Sequence, residues 1–294
     1  MENIGKKDIV TILVCYVLWG FQSLYWALGD GMDSFTVLAC RTLMTAVFTV
    51  AILALQGRLR ELRAVFADRK LLRLLHVSAL FLMLDWGIFI VVVNAGHVLD
   101  TSLGYYISPL FIFAVGIAVY RERGERSMFI ALGVALAGVA VSTAAFGQFP
   151  LVPLLVAASW TVYSSIKKSV RIDGLLSIAA ETLILSPVML LFLAFFRAGE
   201  VAAFVPRDVL FAVGSGIVTG LPMVLYSDVV VKFPLTAICF IQYLCPTFAL
   251  FCGLIRGERF TASQLVSLAF FVISIAIFTA GELRTAKRKG LHNT

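Results

Sequence analysis

Between residues 9 and 282 the chain is one apolar segment after another, and the connections are mostly five to ten residues long. A helix needs roughly 20 apolar residues to cross the hydrocarbon core of a bilayer. Inside that core a segment must satisfy its own backbone hydrogen bonds. Ten candidate spans follow: 9–28, 34–56, 73–94, 101–120, 127–145, 150–166, 174–196, 208–230, 235–255 and 261–282. Of the 294 residues, 61% are hydrophobic and 14% charged, against about 25% charged in soluble domains. The expected fold is an all-α integral membrane protein of ten transmembrane helices. The longest connection is 57–72, where Leu59, Leu62, Val65 and Phe66 recur at helical spacing among five basic residues. That pattern predicts an amphipathic helix lying on an anionic leaflet.

Orientation follows from Lys and Arg in alternate loops. One set of loops holds 19 of them and the other only Arg197, Arg207, Arg256 and Arg259. An even number of spans with both termini cytoplasmic gives this bias. It also accounts for the net charge of +7, so no nucleic-acid partner is implied. Lys6 and Lys7 precede an apolar run that lacks a small-residue cleavage site, which predicts a retained first span in a bacterial inner membrane. The five cysteines lie inside apolar runs without CxxC spacing, so neither a disulfide framework nor a metal site is expected. The chain contains no GxxxxGK[ST], HExxH or GxSxG motif. An enzyme is not expected, no cofactor is implied, and transport by this chain would be facilitated, exchange-driven or coupled to an ion such as the proton.

The two halves repeat. Trp19 and Trp160 lie 141 residues apart in spans one and six, Arg41 and Glu181 lie 140 apart in spans two and seven, and Pro109 and Pro246 lie 137 apart in spans four and nine. Glu122 and Glu258 follow those prolines at the span ends. The units are 1–146 and 147–294, five helices each. An odd number of helices inverts the second copy in the membrane, and inverted repeats place a substrate site near the midplane between the halves. One chain then suffices for a complete path, so a monomer is plausible.

Leu103-Gly104-Tyr105-Tyr106-Ile107-Ser108-Pro109-Leu110, Glu181-Thr182 with Pro187 six residues on, and Phe240-Ile241-Gln242-Tyr243-Leu244-Cys245-Pro246-Thr247 resemble signatures of the RarD branch of the EamA-type drug/metabolite transporter superfamily. The resemblance covers nearly the whole chain. It implies ten helices in two inverted five-helix repeats, with Glu122-Arg123 and Gly257-Glu258-Arg259 as repeat terminators. Asp85-Trp86 stands where relatives usually carry Asn-Trp, and Ala237-Ile238-Cys239 replaces a Leu-Gly stretch.

An ionisable group at membrane depth is costly and usually marks a pathway or site. Arg41 and Glu181 each lie about 10 Å inside a span end at 1.5 Å per residue, and Asp85 lies mid-span. A zwitterionic substrate gripped by Arg41 with Glu181 or Asp85 is the functional expectation, with Glu181 and Asp85 also candidates for proton coupling. An ion pair locking the repeats is the alternative. Trp19, Trp160, Tyr105, Tyr163, Trp86 and Tyr243 have polar tips at interior depth, where they need a partner or a wet cavity. Gln242 and Asn94 complete the candidate substrate-binding set, while Pro109, Pro222 and Pro246 are hinge candidates. Gly133, Ala137 and Gly138 are assigned to close helix packing. The function expected is a transporter moving a small organic metabolite, best an amino acid or related zwitterion, by alternating access. An exporter of cationic or aromatic drugs is the runner-up, and a channel is the alternative from another class.

Overall fold

A computed structural model describes residues 4–29, 31–94, 98–147, 149, 151–255 and 261–291. Its ordered elements are all helical: α1 (Lys6–Trp26), a short 3-10 turn at Ala27–Gly29, α2 (Ser34–Leu55), α3 (Leu59–Ala67), α4 (Arg69–Asn94), α5 (Val98–Ala118), α6 (Arg126–Phe146), α7 (Leu151–Ser169), α8 (Gly174–Phe196), α9 (Ala198–Ala202), α10 (Pro206–Val230), α11 (Leu235–Gln242), α12 (Leu244–Ile255) and α13 (Ala262–Leu291). Among the described residues seven helices are long and apolar enough to cross a membrane, and the shorter apolar stretches Gly104–Ala118 and Leu235–Phe248 accompany them. Large side chains such as Leu190, Leu191, Phe195 and Phe196 on α8 are exposed, as expected of a surface that faces hydrocarbon.

Helix starts are chemically specified. Asp33 caps α2 by accepting from the N–H groups of Phe35 and Thr36, and Asp173 caps α8 in the same way from Leu175 and Leu176. Each cap satisfies donors that a helix leaves open at its first turn. Close packing then depends on small residues: a Cβ at Gly216 of α10 would overlap the backbone of Met44 on α2. Gly138 meets Phe270 and Phe271 of α13 in the same manner, whereas a Cβ at Gly133 would meet nothing within 4 Å. Gly133 is therefore not a packing glycine, although its neighbour one turn later is.

Two elements differ from expectation. The segment 235–255 was predicted as one span, but the helix is interrupted at Tyr243 between α11 and α12. Pro246 has no N–H to return to the carbonyl of Gln242, which removes the bond that would carry the helix across this point. The amphipathic helix of 57–72 forms as α3, yet Leu62 and Val65 are buried against Leu175, Leu176 and Ala179 of α8. Its apolar face is thus spent largely on protein, leaving Leu59 and Phe66 exposed.

Candidate functional site

One stripe of α7 organises the polar interior. Ser159, Trp160, Tyr163 and Lys167 fall on one side of that helix, and each reaches a different neighbour. Ser159 Oγ donates to Asp85 Oδ1 on α4 at 3.1 Å. Trp160 Nε1 donates to Gln242 Oε1 on α11 at 3.3 Å, and Gln242 Nε2 donates to Ser108 Oγ on α5 at 3.1 Å. Tyr163 OH donates to Glu181 Oε2 on α8 at 3.3 Å.

Lys167 closes this row. Its Nζ lies 3.1 Å from Glu181 Oε1, with the two side chains 1% and 0% exposed, and it also donates to Ser177 Oγ. The sequence reading placed Lys167 among the basic loop residues; it is instead the buried counter-ion of Glu181. The signal was available in the short connection between α7 and α8, because an antiparallel turn there sets residue 167 opposite 177, one turn from 181. Asp228 accepts the Gly174 N–H at 2.6 Å and so supplements the α8 cap.

Arg41 has a different environment. Its guanidinium carbon lies 3.8 Å from the centroid of the Trp86 ring and 5.2 Å from that of Trp26. Nε is buried without a hydrogen-bond partner, and among the described residues no ion pair holds the side chain. Asp85, only 2% exposed, lies with Tyr105 within electrostatic range of it. Arg41 and Glu181, 140 residues apart in the sequence, are in separate environments. Glu181 has its own cation; Arg41 stacks on aromatic faces near Asp85.

Between these two charged regions lies a cluster of rings. Trp19 touches Trp160 at 5.4 Å between centroids, and Tyr226 touches both at 5.4 and 5.5 Å. Tyr163 packs against Trp160, and Tyr16 against Trp19. Among the described residues the buried hydroxyl of Tyr16 has no hydrogen-bond partner. Tyr226 was absent from the candidates; its place four residues after Pro222, on the same helix face, was the available clue. Tyr243 belongs elsewhere: its OH donates to the Tyr106 carbonyl at 3.3 Å and its ring stacks on Phe271 at 4.7 Å. Asn94 ends α4, and its side chain lies outside the described residues, as does Glu258.

The prolines loosen the backbone beside these groups. Pro109 and Pro222 sit inside α5 and α10. Pro222 frees the carbonyl of Val218 four residues earlier, and Gln22 Nε2 donates to it at 3.2 Å. Ionisable groups buried among apolar helices, beside an interrupted helix, mark this region as a candidate site.

The model of the EamA-like transporter family matches residues 6–144 and again 149–280. The chain belongs to the EamA-like transporter family. Among its relatives, Protein RarD of Streptomyces exfoliatus is 31% identical over 294 residues, covering 98% of this chain and 92% of its own. Protein RarD of Escherichia coli is 26% identical over 287 residues, covering 96% and 97%. An uncharacterized transporter of Vibrio cholerae is 29% identical over 284 residues, covering 95% and 94%. A solved crystal structure shares the fold, with a TM-score of 0.76 at 16% identity over 96% of this chain and 99% of its own. This EamA-like protein, with RarD-type relatives along its length and apolar helices throughout, is a multi-pass bacterial membrane protein of a transporter family.

Proposed function

We propose that the protein is a secondary-active or facilitative transporter in the inner membrane that moves a small organic metabolite by alternating access. An amino acid or related zwitterion is the substrate we favour. In this reading residues 1–146 and 147–294 are inverted five-helix repeats, ten spans in all with α11 and α12 counted as one, and both termini are cytoplasmic.

The observation that carries the reading is a reciprocal pair of bridges. Arg58, just beyond α2, lies 3.5 Å from Asp173, the cap of α8. Arg197, just beyond α8, lies 3.2 Å from Asp33, the cap of α2. Each arginine also has a glutamate three residues on: Glu61 at 2.9 Å and Glu200 at 3.7 Å. Asp33, Arg41, Arg58 and Glu61 in the first half thus answer to Asp173, Glu181, Arg197 and Glu200 in the second. Helix packing supports the same exchange. α5 packs on α7 as α12 packs on α1, α4 packs on α8 as α10 packs on α2, and α2 with α8 and α6 with α13 pair across the halves. Repeats that interlock in this way provide two bodies able to rock around a site between them.

Arg41, Asp85 and Trp86 at one level, and Trp19, Trp160, Tyr163 and Gln242 at the next, would line that site. Glu181 and Asp85 are the groups available for proton coupling, with Pro109, Pro222 and Pro246 as hinges. The ring cluster with a nearby acid also favours, as a second reading, export of cationic or aromatic drugs by cation–π contact. The test is flux into proteoliposomes with a panel of amino acids, aromatic metabolites, nucleoside-containing metabolites and cationic drugs. A transporter gives saturable uptake that is accelerated by substrate on the far side. Flux that neither saturates nor responds to substrate across the membrane would mean a channel.

A further inference from the structure

Resting on the transporter reading, we propose that Arg41 and Asp85, and not Glu181, form the charged subsite, and that it recognises a solute carrying one carboxylate and one ammonium group. The two charged groups differ in the bonding capacity left open to a ligand. Glu181 is already met by Lys167 Nζ at 3.1 Å and by Tyr163 OH at 3.3 Å, and Lys167 by Ser177 as well. A carboxylate so engaged has little left to offer a ligand without breaking a fully buried ion pair.

Arg41 is the reverse case. A guanidinium carries five N–H donors in a fixed fork and no acceptor. Here, among the described residues, none of them is matched by a hydrogen bond or an ion pair, and Nε is buried. The contact with Trp86, 3.8 Å from the guanidinium carbon to the ring centroid, supplies no oxygen acceptor to the N–H edge of the group. That edge fits a carboxylate in two parallel hydrogen bonds, a geometry in which lysine does not replace arginine. The ring contact also restricts the side chain before a ligand arrives, which lowers the ordering cost of binding.

Asp85 supplies the opposite sign. It neighbours Trp86 in sequence, is 2% exposed, and is anchored through one oxygen by Ser159. Arg41 lies over the ring of Trp86, the chain neighbour of Asp85, at 3.8 Å, and among the described residues no ion pair joins Asp85 to Arg41. Two opposite charges buried within reach but not in contact suit a ligand that bridges them. A simple cation would gain from Asp85 but meet repulsion from Arg41. A simple carboxylate would meet the converse, so the site selects against both. Tyr105 and Trp26 complete the surroundings of Arg41.

The test uses full-length protein in proteoliposomes, with counterflow of the twenty amino acids, their carboxamides and the corresponding decarboxylated amines. At least one amino acid should be exchanged while its carboxamide and amine are not. Arg41→Gln and Asp85→Asn should each weaken half-saturation by about 10- to 100-fold, the worth of a lost hydrogen bond to a charged group. Arg41→Lys keeps the charge but loses the fork, and should recover only part of that loss. Thermal unfolding of each variant separates lost binding from lost folding. Exchange of amines or cationic drugs that is indifferent to Arg41→Gln would overturn the subsite while leaving the transporter reading intact. An absence of counterflow with every solute, from protein that unfolds cooperatively, would overturn both.

Discussion

The Lys167–Glu181 pair allows a double-mutant cycle whose outcome can be worked from the structure. At 3.1 Å and an effective dielectric constant near 20, two unit charges attract by about 5 kcal/mol. Both ions are essentially unexposed, so each has given up hydration worth several kcal/mol. Lys167→Met leaves Glu181 with the Tyr163 hydroxyl alone, and Glu181→Leu leaves Lys167 with Ser177 alone. Each single replacement should destabilise the protein by about 3–5 kcal/mol, because it strands a buried charge. The double replacement removes both charges and leaves only two hydroxyls short of a partner, a cost of about 1–2 kcal/mol. The coupling energy should then be at least about 4 kcal/mol. The assay is equilibrium unfolding in a mild detergent, supported by apparent Tm. One kcal/mol moves Tm by about 2–4 °C in chains of 150–250 residues, so each single variant should melt on the order of 10 °C lower. Single variants that lose only a degree or two would refute the reasoning, as would a double variant that loses the sum of the two.

Gln242→Leu should cost about 1–3 kcal/mol in the same assay, because it strands the buried Trp160 N–H and removes the donor to Ser108. Gly216→Leu should prevent accumulation of folded protein, since even a Cβ there overlaps the Met44 backbone, whereas Gly133→Leu, facing open space, should be tolerated; yield of monodisperse protein measures both. The Arg58–Asp173 bridge is 27% and 38% exposed at its two side chains, so Arg58→Gln should cost no more than about 1 kcal/mol. A larger loss would show that the bridge acts in concert with Arg197. For topology, a cysteine replacing Arg123 should react with a membrane-impermeant thiol reagent only after permeabilisation, and one replacing Arg207 should react in intact cells.

What the sequence could and could not reveal divides along a physical line. Span positions depend on local composition, and α2, α6 and α8 fall within a residue of the windows read from hydropathy alone. The break at Tyr243 depends on Pro246, a visible local cause, but hydropathy is blind to a missing N–H and so merged α11 with α12. α3 was legible as an amphipathic helix, while the surface that takes its apolar face is a tertiary fact that periodicity does not contain. The charged groups were the hardest. Position within apolar spans singled out Arg41, Asp85 and Glu181, but a buried charge means opposite things depending on its partner. Lys167 was hidden because a lysine at a span end ordinarily snorkels to water, and only the fold shows that this one turns inward. Once Lys167 is paired with Glu181, the symmetry of Arg41 and Glu181 acquires a different sense. Glu181 is satisfied from within the protein by Lys167, while Arg41, 140 residues earlier, rests on tryptophan beside an acid. Folding stability alone would favour a partner, or an uncharged residue, at Arg41; among the described residues it has no ion-pair partner, which is why the proposed substrate subsite is placed there.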